Sequence, residues 1–208
     1  MASFRERDMS MAVLQTVKVH EKTRRMLLTL TEEDGAVRTL FVTHDAYVRA
    51  GSPARGESIG EDTLRELCRE DARVRAFRHA LYLLSFADNS RAQLLRKLRS
   101  KGYSSEAAAF AVDEAVRLGY VRESEQLARY VRVLANERLY GRRRIVAALA
   151  SKGYRTADIT ATVDALCESG CIDFQENFAR LCEKKGDGSD ESRAKLRYTY
   201  GYGGGTSC

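Results

Sequence analysis

The chain has 208 residues, of which 44% are hydrophobic and 31% are charged, and its formal net charge is +6. This composition can fill one large or several small hydrophobic cores, which excludes an intrinsically disordered chain. It holds no run of about eighteen apolar residues that could cross a membrane, and its first residues lack the apolar segment of a signal peptide, so we expect a cytoplasmic protein.

Residues 1–72 predict a small β-containing region. Three segments combine apolar and β-branched residues as half-buried strands do, at residues 12–19, 25–30 and 37–43. The last two flank the Asp-Gly pair at residue 34, which favours a hairpin turn. A short helix, a loop with the only proline and a further helix complete the region. Three strands are marginally stable alone, so we expect them to pack against the helices that follow.

The rest of the chain carries an internal repeat. The stretch LRSKGYSSEAAAFAVDEAVRLGYV, residues 98–121, aligns without gaps with LASKGYRTADITATVDALCESGCI, residues 149–172, and eight of the 24 positions are identical. Repeats of this length are typical of stacked helical units that cannot each bury an apolar face alone. The sequence therefore predicts a mainly α protein of tandem three-helix repeats.

Apolar spacing and helix-stop signals give the domain boundaries. The predicted domains are the N-terminal region at 1–72, a first repeat at 73–122, a second repeat at 123–172 and a truncated third repeat at 173–208. The second helix of each repeat ends in Gly-Tyr, because glycine reaches positive φ without steric cost. The tyrosine is expected to fold back on the helix that it ends. Ser90 with Gln93, and Thr156, are predicted to cap helices.

The sequence shows no catalytic or metal-binding constellation. Its three histidines, His20, His44 and His79, are scattered over a strand, a loop and a helix. No glycine-rich phosphate loop with its lysine and helix occurs. Five cysteines are an odd number without a framework spacing, which favours reduced thiols. We therefore expect no enzyme and neither a metal nor a cofactor.

The positive charge is concentrated in the repeats. Residues 71–122 carry ten Lys or Arg against five Asp or Glu, whereas residues 1–70 carry eleven against twelve. The candidate binding residues in the second helix of each repeat are Arg91, Arg96, Lys97, Arg99, Lys101, Arg142, Arg143, Arg144 and Lys152. One interpretation is a basic ridge that follows a phosphate backbone or an acidic groove. The other is a solvated surface whose last-turn cations suit the helix dipole.

Three sequence elements, in this order and at this separation, resemble the RecX family. They are RAQLLRKLRSKGY, LGYVRESEQLARYV and GRRRIVAALASKGY, and the similarity runs from about residue 77 to residue 172. Members of this family regulate the bacterial RecA recombinase. The resemblance implies a curved array of three-helix repeats that lies in the helical groove of a RecA–DNA filament, with the candidate basic residues in contact with it.

The function that the resemblance implies is inhibition of ATP hydrolysis and strand exchange by RecA, or promotion of filament disassembly, in DNA repair and the SOS response. The protein is expected to act as a monomer. The alternative is a helical protein that binds single- or double-stranded DNA directly. Reversing Arg142, Arg143 and Arg144 to glutamate is predicted to weaken inhibition without unfolding the chain.

Overall fold

The computed structural model describes residues 11–21, 25–186 and 188–202 of the chain. It divides into two compact units, one made of residues up to 87 together with 94–120, the other of residues 88–93 together with those from 121 onward. The protein is mainly helical with a small N-terminal sheet, as predicted. No helix in the described ranges combines the length and the apolar character that a membrane crossing requires.

The N-terminal sheet has four strands in the part of the chain that the structure describes. They are β1 (Ala12–His20), β2 (Arg25–Glu32), β3 (Val37–Thr43) and β4 (Ser58–Ile59). Their order is β3-β2-β1-β4, and each pairing is antiparallel. The three long strands and the β2–β3 hairpin confirm the predictions. β4 was missed because two residues are too few to show an alternating pattern.

A long helix packs against the sheet. The short helix α1 (His44–Arg49) follows β3, and α2 (Glu61–Phe86) then runs for 26 residues. Leu64 and Leu67 of α2 join the buried leucines of the strands in one core. α2 continues through residues 72 and 73, because it contains no Gly or Pro that would end a helix. The two helices predicted on either side of that boundary are therefore one.

Two side chains of α2 bind the outer edge of β3. The Asp71 carboxylate accepts the backbone N–H of Phe41 at 2.7 Å and also binds Nε of Arg75. Arg75 in turn donates to the Thr39 carbonyl at 2.9 Å. Burial raises the pKa of Asp71, while the hydrogen bonds from Arg75 and Phe41 act in the opposite direction. These contacts protect the strand edge and tie the sheet to the helical part of its unit, as expected.

The helices that follow form the three-helix pattern twice. The first repeat joins the second half of α2 to α3 (Arg91–Ser100) and α4 (Ser105–Arg117). The second repeat contains α5 (Glu123–Arg132), which continues as a π-helix at Val133–Glu137, then α6 (Arg142–Ser151) and α7 (Thr156–Glu168). The last two helices in the described residues are α8 (Phe174–Lys185) and α9 (Asp190–Tyr200).

One of the two predicted helix caps is confirmed and the other is wrong. Before α3, Ser90 Oγ accepts the Gln93 N–H at 3.1 Å, and Gln93 Oε1 accepts the Ser90 N–H at 3.2 Å. Thr156 is the first residue of α7, and Arg155 is the N-cap, without a side-chain hydrogen bond. The helix begins one residue earlier than predicted, as in the first repeat, where Ser104 at the equivalent position caps α4.

A Gly-Tyr pair follows the second helix of all three repeats, and we refer to it as the Gly-Tyr stop. The pairs are Gly102–Tyr103, Gly153–Tyr154 and Gly201–Tyr202. In each stop the tyrosine N–H bonds the carbonyl five residues earlier, from Tyr103 to Leu98, from Tyr154 to Leu149 and from Tyr202 to Arg197. The third stop is formed although its leucine, Leu196, is one position out of register, because this bond uses only the backbone. Leu196 instead packs, partly buried, against the core of the second unit.

Besides this backbone bond to the helix that they end, the first two tyrosines contact the first helix of their own repeat, which the sequence analysis did not predict. Tyr154 is buried and donates to Gln126 Oε1 of α5 at 3.2 Å. Tyr103 donates to the Arg75 carbonyl of α2 at 3.3 Å. Each tyrosine thus connects the first and second helices of a repeat.

Tyr202 makes the stability of the second unit sensitive to alkali. Its hydroxyl donates to the Leu139 carbonyl at 3.1 Å, and its ring packs against Phe174 and Phe178. Burial raises the pKa of Tyr202 to about 12, whereas an unfolded tyrosine titrates near about 10. The folded state therefore keeps the proton between these values. The contribution to stability is complete below about pH 10 and is lost as the pH rises towards about 12.

We expect the melting temperature to fall between about pH 10 and pH 12, as measured by circular dichroism. Tyr202→Phe should lower the melting temperature slightly at pH 8, because one hydrogen bond is lost, but should reduce the alkaline fall. Tyr154, whose pKa is also raised by burial, accounts for part of what remains. An equally steep fall in Tyr202→Phe would contradict this assignment.

Candidate functional site

The basic residues on and after α3 are exposed. Leu94 and Leu98 are fully buried and define the inner face of this helix. Because successive residues turn by about 100°, Arg96 lies opposite that face. We refer to the four exposed cations from residue 96 onward as the α3 cationic surface, which consists of Arg96, Lys97, Arg99 and Lys101. Arg99 is oriented by a 2.7 Å hydrogen bond to Ser105 Oγ at the start of α4.

The three consecutive arginines of α6 have three different environments. Arg142 forms an ion pair with Asp164 of α7. The Arg144 guanidinium lies over the rings of Tyr140, at 4.0 Å, and Tyr200, at 5.0 Å, and it donates to the Thr199 carbonyl at 2.8 Å. Arg143 alone of the three has an exposed side chain. Reversing all three charges would therefore remove contacts within the fold, so only Arg143 allows a clean test.

The remaining two candidates, Arg91 and Lys152, also lie in the second unit. Arg91 has an exposed side chain, and its backbone N–H donates to the Glu123 carboxylate at 2.7 Å. Lys152 is half-buried, with its ammonium 5.1 Å from the centre of the Tyr130 ring. It aligns with Lys101 in the repeat, but Lys101 is exposed. Equivalent positions thus differ in their availability to a partner.

Carbonyls at the end of α9 occupy two N–H groups at the N-terminus of α6. The Gly141 N–H donates to the Tyr200 carbonyl at 2.7 Å, and the Arg143 N–H donates to the Gly201 carbonyl at 3.2 Å. Helix N-termini bind anions through such N–H groups when they are free. A phosphate near α6 would therefore meet side chains, chiefly Arg143.

A basic and aromatic surface lies on α2; the sequence raised Tyr82 as a possible stacking group but did not single out the arginines beside it. Arg75 and Arg78 lie over the Phe41 ring at 5.7 Å and 5.9 Å. Further along the helix, the side chains of Tyr82 and Phe86 are 60% and 71% exposed and form an edge-to-face pair at 4.8 Å. The i, i+3 spacing of the two arginines was a readable signal. Their placement over a strand residue was not, because it depends on how α2 packs on the sheet.

Several cations lie close together in this part of the first unit, with Glu70 and Asp71 among them. Burial and the neighbouring Arg78 lower the pKa of Arg25, and burial together with Lys101 lowers the pKa of His79. The His79 ring packs against Tyr103 and Tyr82, at 5.6 Å and 6.0 Å between ring centres. No group of three His, Cys, Asp or Glu side chains that could hold a metal ion occurs in the described residues.

Comparison with known proteins identifies the family. A family model described as RecX, first three-helix domain, matches residues 76–114. The regulatory protein RecX of Pseudomonas savastanoi pv. phaseolicola is 35% identical over 131 residues, which make up 63% of this chain and 81% of that protein. The chain belongs to the RecX family. A regulatory protein RecX of Pseudomonas fluorescens is 33% identical over 131 residues, with the same coverage.

Solved RecX structures share the fold. A crystal structure of regulatory protein RecX matches with a TM-score of 0.68 at 18% identity, over 94% of this chain and 95% of that one. RecX from Lactobacillus salivarius matches with a TM-score of 0.55 at 20% identity, over 65% of this chain and 89% of its own. The predicted helical repeat fold is thus confirmed, and the chain is a RecX-family regulatory protein.

Proposed function

We propose that this RecX-family protein inhibits the RecA recombinase by binding the groove of the RecA–DNA filament and suppressing ATP hydrolysis and strand exchange. The observation that carries the proposal is the α3 cationic surface, whose four side chains are all exposed. A filament groove that presents phosphates or acidic side chains attracts such a surface. Among the candidate residues, Arg91 and Arg143 are the exposed ones that the second unit would add.

The repeat organisation supports a long, periodic partner. In this proposal the repeats at 73–122, 123–172 and 173–208 act as successive modules of a curved array, and residues 1–72 form a separate β-containing region. Stacked helical units build extended binding surfaces of this kind. The protein is proposed to act in the cytoplasm as a monomer, through binding and without a catalytic step of its own.

The decisive experiment is a titration of the purified protein into RecA, ATP and single-stranded DNA. ATP hydrolysis should fall as the protein approaches the RecA concentration, and strand exchange should fall with it. The same protein is titrated into labelled DNA without RecA. Inhibition at concentrations well below those that saturate naked DNA would support filament binding. Unchanged hydrolysis at stoichiometric protein would reject it.

Direct DNA binding is the second candidate, and the aromatic pair on α2 favours it. Exposed aromatic side chains next to cations are the usual platform for unstacked bases. Tyr82 and Phe86 are exposed, and the cations Arg75 and Arg78 belong to the same helix. Tight binding of naked single-stranded DNA, lost in Tyr82→Ala/Phe86→Ala, together with unchanged RecA activity would establish this function instead.

A further inference from the structure

The Gly-Tyr stop of the second repeat also serves as a docking element. The Lys152 carbonyl accepts the Ser90 hydroxyl at 2.7 Å, and Ser90 is the residue that caps α3. A Cβ at Gly153 would lie 2.6 Å from Cβ of Ala92. The end of α6 therefore packs directly on the first turn of α3. Gly153 makes the closest approach, to Ala92, where a larger residue would not fit.

The stop at the end of α9 repeats this arrangement on α6. The Tyr200 carbonyl accepts the N–H of Gly141, the N-cap of α6, at 2.7 Å. A Cβ at Gly201 would lie 2.5 Å from the nitrogen of Arg144. Tyr200 occupies the position of Lys152, and Gly141 occupies the position of Ser90. In both stops the carbonyl before the glycine accepts a hydrogen bond from the residue that caps another helix, from a side-chain hydroxyl in one and from a backbone N–H in the other.

The stop of the first repeat has the same form but contacts no other helix N-terminus in the part of the chain that the structure describes. Gly102 has φ +92°, and the Tyr103 N–H bonds the Leu98 carbonyl as in the other stops. Among the described residues, no atom lies within 4 Å of a Cβ placed at Gly102. Lys101 and Gly102 are exposed. The surface that the other two stops bury is therefore open here.

The charges around this stop indicate what would bind. Lys101 lies near His79, and Arg75 and Arg78 lie near Tyr103. Asp71, the acidic group close to Tyr103, is already bonded to Arg75. The first turn of a helix commonly carries acidic residues, and its N–H groups complement carbonyls at the end of another helix. Both features match this stop, where no described residue donates to the Lys101 carbonyl and cations lie beside it.

We propose that the stop at residues 101–103 docks on the N-terminal turn of a helix of a partner protein, with an N-cap donor on the Lys101 carbonyl and acidic first-turn residues beside the cations. The inference rests on the proposed function, which makes RecA in its filament the protein that supplies this helix. The Gly102 position leaves room for the close approach that Gly153 and Gly201 make within the chain.

Gly102→Asn tests the docking, with Gly170→Asn as the matched control. Both glycines end helices with positive φ, and neither has an atom within 4 Å of a Cβ among the described residues. Asparagine tolerates this backbone conformation better than other side chains do, so both variants should fold. Binding of each variant to RecA filaments on single-stranded DNA is measured by fluorescence anisotropy, with melting followed by circular dichroism.

Gly102→Asn is expected to weaken filament binding at least about tenfold, and Gly170→Asn less than about twofold. Equal binding by Gly102→Asn and the unmodified protein overturns the docking proposal and leaves the proposed function intact. An equal loss in both variants overturns it as well. If the unmodified protein does not bind filaments, both proposals fail. Should Gly102→Asn unfold, Lys101→Glu replaces it, and unchanged binding by that variant overturns the proposal.

Discussion

Replacing Gly141 with alanine is expected to lower the free energy of unfolding by about 3 kcal/mol. Its φ of −76° suits any residue, so the substitution causes no backbone strain of its own. A Cβ here would lie 2.6 Å from the carbonyl carbon and oxygen of Gly201 and 2.7 Å from the Tyr202 nitrogen. All three are backbone atoms, so no side chain can rotate away. The end of α9 would have to leave α6, and the buried Tyr202 ring would move with it.

Gly60→Ala is the matched control for this prediction. Gly60 is the N-cap of α2, has a φ of −67°, and has no atom within 4 Å of a Cβ among the described residues. Alanine there should cost less than about 1 kcal/mol, as an ordinary N-cap substitution. Urea unfolding followed by circular dichroism measures both variants. Equal losses of unfolding free energy in the two variants would show that Gly141 acts only as an N-cap. The close contact between the end of α9 and α6 would then not limit the residue at this position.

Local sequence patterns predicted the strands, the helix stops and the capping box, because each depends on residues close together in the chain. The Asp-Gly hairpin and the Ser90–Gln93 pair are both decided within four residues. The continuity of α2 was also readable, since nothing in its sequence ends a helix. The error there came from giving each predicted domain its own helix.

Which of the basic candidates have exposed side chains could not be predicted in the same way. Arg142, Arg143 and Arg144 are consecutive, and their spacing gives only their directions around α6. Whether each is exposed depends on Asp164, which is 22 residues away from Arg142, and on Tyr200, which α9 brings against Arg144. Tertiary packing thus selects Arg143 alone as available. For α3 the helix direction was sufficient, because no described side chain covers the face opposite Leu94 and Leu98.

Arg96→Glu/Lys97→Glu is expected to raise the protein concentration needed for half-maximal inhibition of RecA ATP hydrolysis at least about tenfold, or about 1.4 kcal/mol. Both side chains are exposed on the α3 cationic surface, so the reversal should turn attraction to the filament groove into repulsion while the fold is kept. Inhibition is measured at two salt concentrations, because the loss of cationic contacts should also flatten its salt dependence. Thermal melting within a few degrees of the unmodified protein shows that the variant is folded.

Arg193→Glu/Lys195→Glu on α9 is the control, with the same change in net charge at exposed positions of another helix. If long-range attraction alone governed binding, both double variants would lose inhibition equally, and the α3 cationic surface would have no special role. A loss of inhibition confined to Arg96→Glu/Lys97→Glu would support a contact between α3 and the filament.

Binding of the same variants to naked DNA is measured in parallel. If Arg96→Glu/Lys97→Glu loses binding to naked DNA but still inhibits RecA, the cations of α3 bind nucleic acid, and inhibition must be assigned to another surface. Both double variants are measured in both assays. A loss of inhibition without a loss of DNA binding, or the reverse, therefore distinguishes binding to the filament from binding to naked DNA.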